Sequence, residues 1–198
     1  MAPVLAIDGA SRFYVKLLSS PGRVLVLGAG DGVVASALAM RGHDVTAVEP
    51  SASLREVIEE KRGGTTLTIV SDDPRTLDLA ARFSLVIAPN QALGLAQSPD
   101  EVHAMLSVMA KHLDPGGTFA LDLLVDVEAS DARRARPFPH LRERGDAIHP
   151  LSPLRLPPAV LDEVLGAVGL EARERYGDFV ETPFSATSRL QVVSGGRR

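Results

Sequence analysis

The chain has 198 residues, 45% of them hydrophobic and 23% charged, with a formal net charge of -4 and a pI near 5.7. That length suits one domain with a substantial buried core, and the acidic balance argues against a general attraction to nucleic acid or an anionic membrane. The absence of cysteine excludes disulfides, thiolate metal ligands and cysteine nucleophiles, and is compatible with a reducing cytoplasm.

At the start, MAPVLAIDGA has no basic segment followed by a long apolar core, and no stretch approaches about 18 uninterrupted apolar residues. The reading is a cytoplasmic protein without a membrane partner. A short leading helix carries Phe13 and Tyr14, used either for packing on a sheet or for closing over a ligand. Residues 24–27 form an apolar, β-branched run that predicts a strand, and residues 33–40 turn to the small and apolar residues of a packed helix. Between them Gly28, Gly30 and Gly32 alternate in the run GAGDG. Backbone without Cβ atoms leaves room for a nucleoside against the main chain, and the helix start beyond offers unpaired N–H groups. Glu49 closes the next strand. A carboxylate about 20 residues past such a turn suits the two hydroxyls of a ribose. A nicotinamide fingerprint would place a glycine where this chain has Val33, and Asp31 disfavours a diphosphate.

Pro50 and Ser51 start a helix with Leu54, Val57 and Ile58 on one side. Residues 66–70 predict a third strand, ending in the polar cluster Ser71, Asp72, Asp73 and Pro74. Residues 83–88 predict a fourth, followed by Pro89, Asn90 and Gln91. A helix over 99–112, a turn at 114–117 and a fifth strand over 118–124 complete an alternation that argues for a parallel sheet wound on both faces. Residues 126–158 are rich in proline and arginine (Arg133, Arg134, Arg136, Arg142, Arg144). A helix over 159–168 and strands over 170–176 and 188–193 follow, the last antiparallel, and SGGRR reads as a frayed tail. The whole is read as a single domain, 1–198, with a short helix or lid over 1–22 and an insertion over 126–158.

The segments VLVLGAGDG, AVEPS, the acids after the third strand, IAPNQALGLAQSPDEVHAMLSVMAKHLDPGGTFALDL and GLEARERYGDFVETPFSATSRLQVV resemble, in succession, the small-molecule class I S-adenosylmethionine-dependent methyltransferases. The resemblance covers nearly all of residues 23–193. It implies a Rossmann-like α/β sheet of about seven strands, mostly parallel with an antiparallel last strand. By that resemblance Gly28, Ala29, Gly30 and Gly32 line the methionine and ribose portions, and Glu49, with Pro50 beside it, takes the ribose hydroxyls. Asp72 lies near the adenine amine, with Ser71 and Asp73 as neighbouring alternatives. Ala88, Pro89 and Asn90 sit beside the reactive methyl. Where the family often has an acid two residues before the first glycine, this chain has Val26, and Asp31 is the nearest substitute.

The expectation is methyl transfer from S-adenosylmethionine, yielding S-adenosylhomocysteine, to a small-molecule acceptor, with no metal and no nucleic acid. Positioning supplies most of the acceleration. The catalytic residue is left open: if the acceptor must lose a proton, His140 and His149 rank above His103 and His112, which are read as surface residues, beside carboxylates near the crevice, and Asn90 is a further candidate beside the acceptor. The short lid regions leave the acceptor pocket open or completed by a second subunit of a homodimer. A non-catalytic relative that retains the fold for nucleoside binding or protein association is the alternative.

Overall fold

The computed structural model describes residues 8–125 and 154–198. Their seven strands, β1 (Arg23–Leu27), β2 (Asp44–Val48), β3 (Leu67–Val70), β4 (Phe83–Ala88), β5 (Leu113–Leu124), β6 (Leu170–Tyr176) and β7 (Leu190–Arg197), form one sheet ordered β3-β2-β1-β4-β5-β7-β6. The first five run parallel, and β7 is antiparallel to both its neighbours. Strand order reverses between β1 and β4. In open α/β sheets the crevice outside the carboxyl ends at such a reversal is where ligands sit.

Five helices cover the sheet: α1 (Gly9–Val15), α2 (Val33–Met40), α3 (Ala52–Arg62), α4 (Pro99–His112) and α5 (Pro158–Ala167), with a 3₁₀ turn at Ala92–Leu95. Successive strand residues point to opposite faces, so a central strand covered on both sides must be apolar throughout. In β1, Leu25 and Leu27 join the core under α4 and α5 with Met105, Leu106, Leu161 and Leu165. Val24 and Val26 join the opposite core with Phe13, Tyr14, Leu38 and Ile58. Helix α4 starts where Ser98 accepts a hydrogen bond from the Glu101 N–H and Pro99 occupies the first turn, a position that needs no N–H donor.

Three features depart from the sequence reading, the first being that residues 114–117, expected as a turn, fall within β5 where its pairing to β4 shifts register. The SGGRR tail is not frayed, because β7 continues to Arg197 and its end pairs with both β5 and β6. The glycines there serve close approach. A Cβ on Gly195 would lie 1.9 Å from the Glu171 carbonyl oxygen and 2.8 Å from the Phe119 ring. Arg197 then donates from Nε to the Leu113 carbonyl oxygen at 3.1 Å and from Nη2 to that of Ala110, covering the C-terminal carbonyls of α4. His112 is fully buried rather than on the surface. Its Nε2 accepts from the Leu79 N–H at 2.9 Å, so Nδ1 carries the proton given to the Val108 carbonyl oxygen at 2.8 Å.

Among the described residues no helix is long and apolar enough to cross a membrane.

Gly195→Ala is expected to lower unfolding stability by more than about 2 kcal/mol, read from denaturant midpoints. Gly116→Ala, whose added Cβ meets nothing within 4 Å, should change it by less than about 0.5 kcal/mol. Equal stability of the two variants would show that the sheet ends before residue 195.

Candidate functional site

The turn after β1 is fixed from two sides. The N–H groups of Gly28 and Ala29 both donate to the Val48 carbonyl oxygen at 3.0 Å, which lashes the turn to the end of β2. At Gly28, φ is 68°, and an added Cβ would fall 2.7 Å from that of Ala92 in the 3₁₀ turn. Gly32 abuts Ile58 of α3 just as tightly, at 2.7 Å. Gly30 differs. It is also left-handed, at φ 60°, but a Cβ there would meet nothing within 4 Å. The outer two glycines are demanded by the fold, while the middle one faces open space.

Glu49 lies beside that open space and is 94% shielded, with a relative exposure of 6%. Its Oε2 accepts from the Gly30 N–H at 2.8 Å and its Oε1 from the Ser51 N–H at 2.9 Å. A carboxylate has roughly four lone-pair sites, so each oxygen keeps capacity for a ligand hydroxyl. Arg55 Nη1 donates to the carbonyl oxygens of Glu49 at 2.9 Å and Pro50 at 2.6 Å, clamping the start of α3. The exposed Asp31 turns toward α3, where Lys61 Nζ lies 2.7 Å from Oδ2 and also donates to the Asp31 carbonyl oxygen. Val26 is fully buried between Ala47 and Ile87.

Beyond β3, Ser71 and Asp72 are exposed. Asp73 is gripped by Arg75, whose Nε is 2.9 Å from Oδ1 and Nη2 2.6 Å from Oδ2. Those hydrogen bonds hold the Asp73 carboxyl below the usual carboxylate range. Arg75 also reaches Glu101 on α4, at 2.7 Å.

Ala88, the last residue of β4, and Pro89 after it are buried, and Asn90 is exposed. Asn90 and Gln91 are both left-handed, at φ 56° and 59°, a conformation that costs a residue with a Cβ roughly 1–2 kcal/mol. Asp122 offsets that cost. This residue of β5, 1% exposed, accepts from the Gln91 N–H at 2.9 Å through Oδ2 and from the Tyr14 hydroxyl at 2.6 Å through Oδ1. Burial pushes its carboxyl up to about 6, against the opposing pull of these hydrogen bonds. Burial, with Asp122 beside it, also raises the Tyr14 hydroxyl. The sequence reading missed Asp122. An acid inside the apolar run FALDLL was the available signal, since a lone carboxylate is not buried without donors.

Phe13 and Tyr14 serve packing: they are buried and make an aromatic cluster with Tyr176 and Phe179, ring centroids 5.4 to 6.2 Å apart. His103 is exposed on α4. His140, His149 and the arginine patch lie outside the described residues.

A methyltransferase domain family model matches residues 24–117, from β1 into the start of β5, and so spans the glycine turn, Glu49 and the loop after β4. Over 124 residues the chain is 36% identical to a cypemycin N-terminal methyltransferase of a Streptomyces species, covering 61% of this chain and 51% of that protein. The chain thus spans about half the length of that curated relative. Among solved structures, the CcbJ methyltransferase from Streptomyces caelestis matches with a TM-score of 0.78 and 26% identity, over 96% of this chain and 90% of that one. The glycopeptide N-methyltransferase MtfA complexed with S-adenosyl-L-methionine shares the fold, with a TM-score of 0.67 and 21% identity over 100% of this chain and 99% of that one.

The raised Asp122 carboxyl makes stability depend on pH. The folded state binds this proton more tightly than the unfolded state does, so the contribution is full below about 3.8 and is lost as pH rises through about 6. Relative to wild type, Asp122→Asn should remove a decline on the order of 2–3 kcal/mol between those limits, measured by urea unfolding at stepped pH. Parallel profiles would show that Asp122 titrates as it does in the unfolded chain.

Proposed function

From the methyltransferase domain match, the curated relative and the likeness to solved methyltransferases, we propose that the chain is a class I S-adenosylmethionine-dependent methyltransferase that transfers a methyl group from S-adenosylmethionine to a small-molecule acceptor. The observation that carries this reading is the junction of Gly30 and Glu49. Open space over a residue that has no side chain lies next to a shielded carboxylate with acceptor capacity to spare.

In this reading Gly28, Ala29, Gly30 and Gly32 form the floor under the methionine and ribose portions, and Glu49, steadied by Pro50 and Ser51, accepts from the ribose hydroxyls. Asp72 is the better placed of the two acids to accept from the adenine amine, because Arg75 already occupies both oxygens of Asp73; Ser71 borders the same space. Asp31 already pairs with Lys61 through Oδ2, so the ligand's ammonium would share its carboxylate with that lysine. Ala88, Pro89 and Asn90 form the wall on the acceptor side.

When bound, the sulfonium supplies an activated methyl whose leaving group is a neutral thioether. The protein therefore has no departing anion to stabilise, and its work is alignment. Holding the nucleophile in line at about 3–3.5 Å is worth roughly 7–11 kcal/mol of barrier. The cypemycin enzyme and MtfA are both named for nitrogen acceptors, which makes amines the first acceptors to test. His140 and His149 are the residues we assign to any proton removal, while Asn90, a neutral amide, is assigned to hydrogen-bonding the acceptor.

The buried Val26 favours a second reading, a nucleoside-binding relative without turnover, since the family's acid is absent from β1. Calorimetry separates the two. Binding of S-adenosylmethionine and S-adenosylhomocysteine but not NAD, with methylation of an amine panel, supports the enzyme; binding without turnover supports the relative; binding of neither adenosyl compound overturns both. Glu49→Ala is expected to weaken S-adenosylhomocysteine binding by about 1–3 kcal/mol, roughly 5- to 150-fold. Unchanged affinity in a folded variant would remove Glu49 from the site.

A further inference from the structure

The loop after β4 is where three distant parts of the chain meet. Its Gln91 N–H ends on Asp122 of β5, and the same carboxylate takes the hydroxyl of Tyr14 from α1. Its next residue, Ala92, occupies the place that a side chain on Gly28 would need. Gly94 accepts from the Leu154 N–H at 2.7 Å, where the described chain resumes. Consecutive left-handed residues bring successive N–H groups to one side, a concavity suited to an anion, and Asn90 and Gln91 both bear on the Asp122 carboxylate. The anion here belongs to the protein itself.

Helix α1 packs Phe13, Tyr14 and Val15 into the core shared with β1 and α2, contacts that are apolar and non-directional. It is held further by the ion pair of Lys16 with Glu181 of the β6–β7 loop, 2.5 Å apart, and by edge-to-face contacts of Phe13 with Tyr176 and Phe179. The Tyr14 hydroxyl is its directional contact to the sheet. We propose that Asp122 is a positioning residue for the 89–92 loop, and that the Tyr14 hydroxyl is the contact through which docking of α1 sets that loop against the glycine turn. The inference rests on the methyltransferase reading only in placing the loop beside the methyl. Its consequence is that a helix remote in sequence tunes both cofactor grip and acceptor alignment without touching either.

The pH behaviour follows from the same groups. Facing Asp122 are the Tyr14 hydroxyl from α1, the Asn90 and Gln91 N–H groups from the loop, and the apolar Val192 opposite it on β7. None carries a charge near neutral pH, so ionisation of Asp122 alone changes how strongly the loop is held.

Amide hydrogen exchange on the whole chain, without cofactor, tests this. In Tyr14→Phe at pH 7 the Gln91 amide should exchange on the order of tenfold faster while amides of β1 and β4 keep their protection. In wild type the Gln91 protection factor, corrected for intrinsic rate and taken relative to amides of β1 and β4 so that the global loss of stability cancels, should rise severalfold from pH 5 to pH 7, and in Asp122→Asn it should stay level. A wild-type protection factor at Gln91 that is retained in Tyr14→Phe, or that is level with pH, overturns the proposal. Should Tyr14→Phe also lose core protection, the pH comparison decides alone. Calorimetry with S-adenosylhomocysteine adds the functional arm: affinity should fall severalfold in Tyr14→Phe, and unaltered affinity overturns the coupling. If wild type binds no S-adenosylhomocysteine, the methyltransferase reading fails, and the exchange result still decides the role of Asp122.

Discussion

The hydrogen bond from the Gly30 N–H to Glu49 joins the two halves of the site, and most of the neighbouring geometry follows from it. Glu49 is displayed at the end of β2 because β2 lies beside β1 in parallel register, and the turn meets it because Val48 accepts from both Gly28 and Ala29. A parallel pair cannot be joined by a tight turn. The intervening α2 must therefore fit in the eight residues 33–40, whose small side chains let it lie close over the sheet. Small residues in that helix and glycines in the turn answer to one requirement, that backbone lie close to backbone.

Asp122 repeats the device at the next reversal-side position of the sheet with a different outcome. Both carboxylates end strands or lie near their carboxyl ends, and both accept from a backbone N–H in a left-handed stretch. Glu49 keeps spare capacity beside open space, whereas Asp122 is sealed by the Tyr14 hydroxyl. In the proposed function one acid receives an outside hydroxyl; the other already holds an inside one. The contrast lies in the surroundings: Asp122 is closed in by its donors, and burial raises its carboxyl, whereas Glu49 borders the open space over Gly30.

Legibility in the sequence followed the range of the forces involved. The bounds of α2, β4, α4 and β6 were readable because apolar periodicity, Pro99 and the glycine stops act locally. The glycine turn and Glu49 were readable as partners because a single β-α-β unit fixes their separation. What escaped was decided by distant chain. SGGRR has the composition of a tail, and only the Glu171 carbonyl and the Phe119 ring, each far away in sequence, make its glycines a strand. His112 has the look of a helix end in solvent until the Leu79 N–H is brought to it. Asp122 needed Tyr14, 108 residues away, before its burial had a reason.

The same distinction bears on how such a site changes over time. The cofactor side is built within one β-α-β unit, so substitutions there meet constraints from close neighbours: Gly28 cannot grow against Ala92, nor Gly32 against Ile58. The acceptor side is assembled from α1, the loop after β4, the end of β5 and the β6–β7 loop, which touch through few directional contacts and an aromatic cluster. Aromatic packing tolerates exchange of shape more readily than a pinned backbone does. Under the proposed function, such a construction keeps the cofactor side fixed while leaving the shape of the opposite wall open to revision, provided that the Asp122 carboxylate keeps its donors.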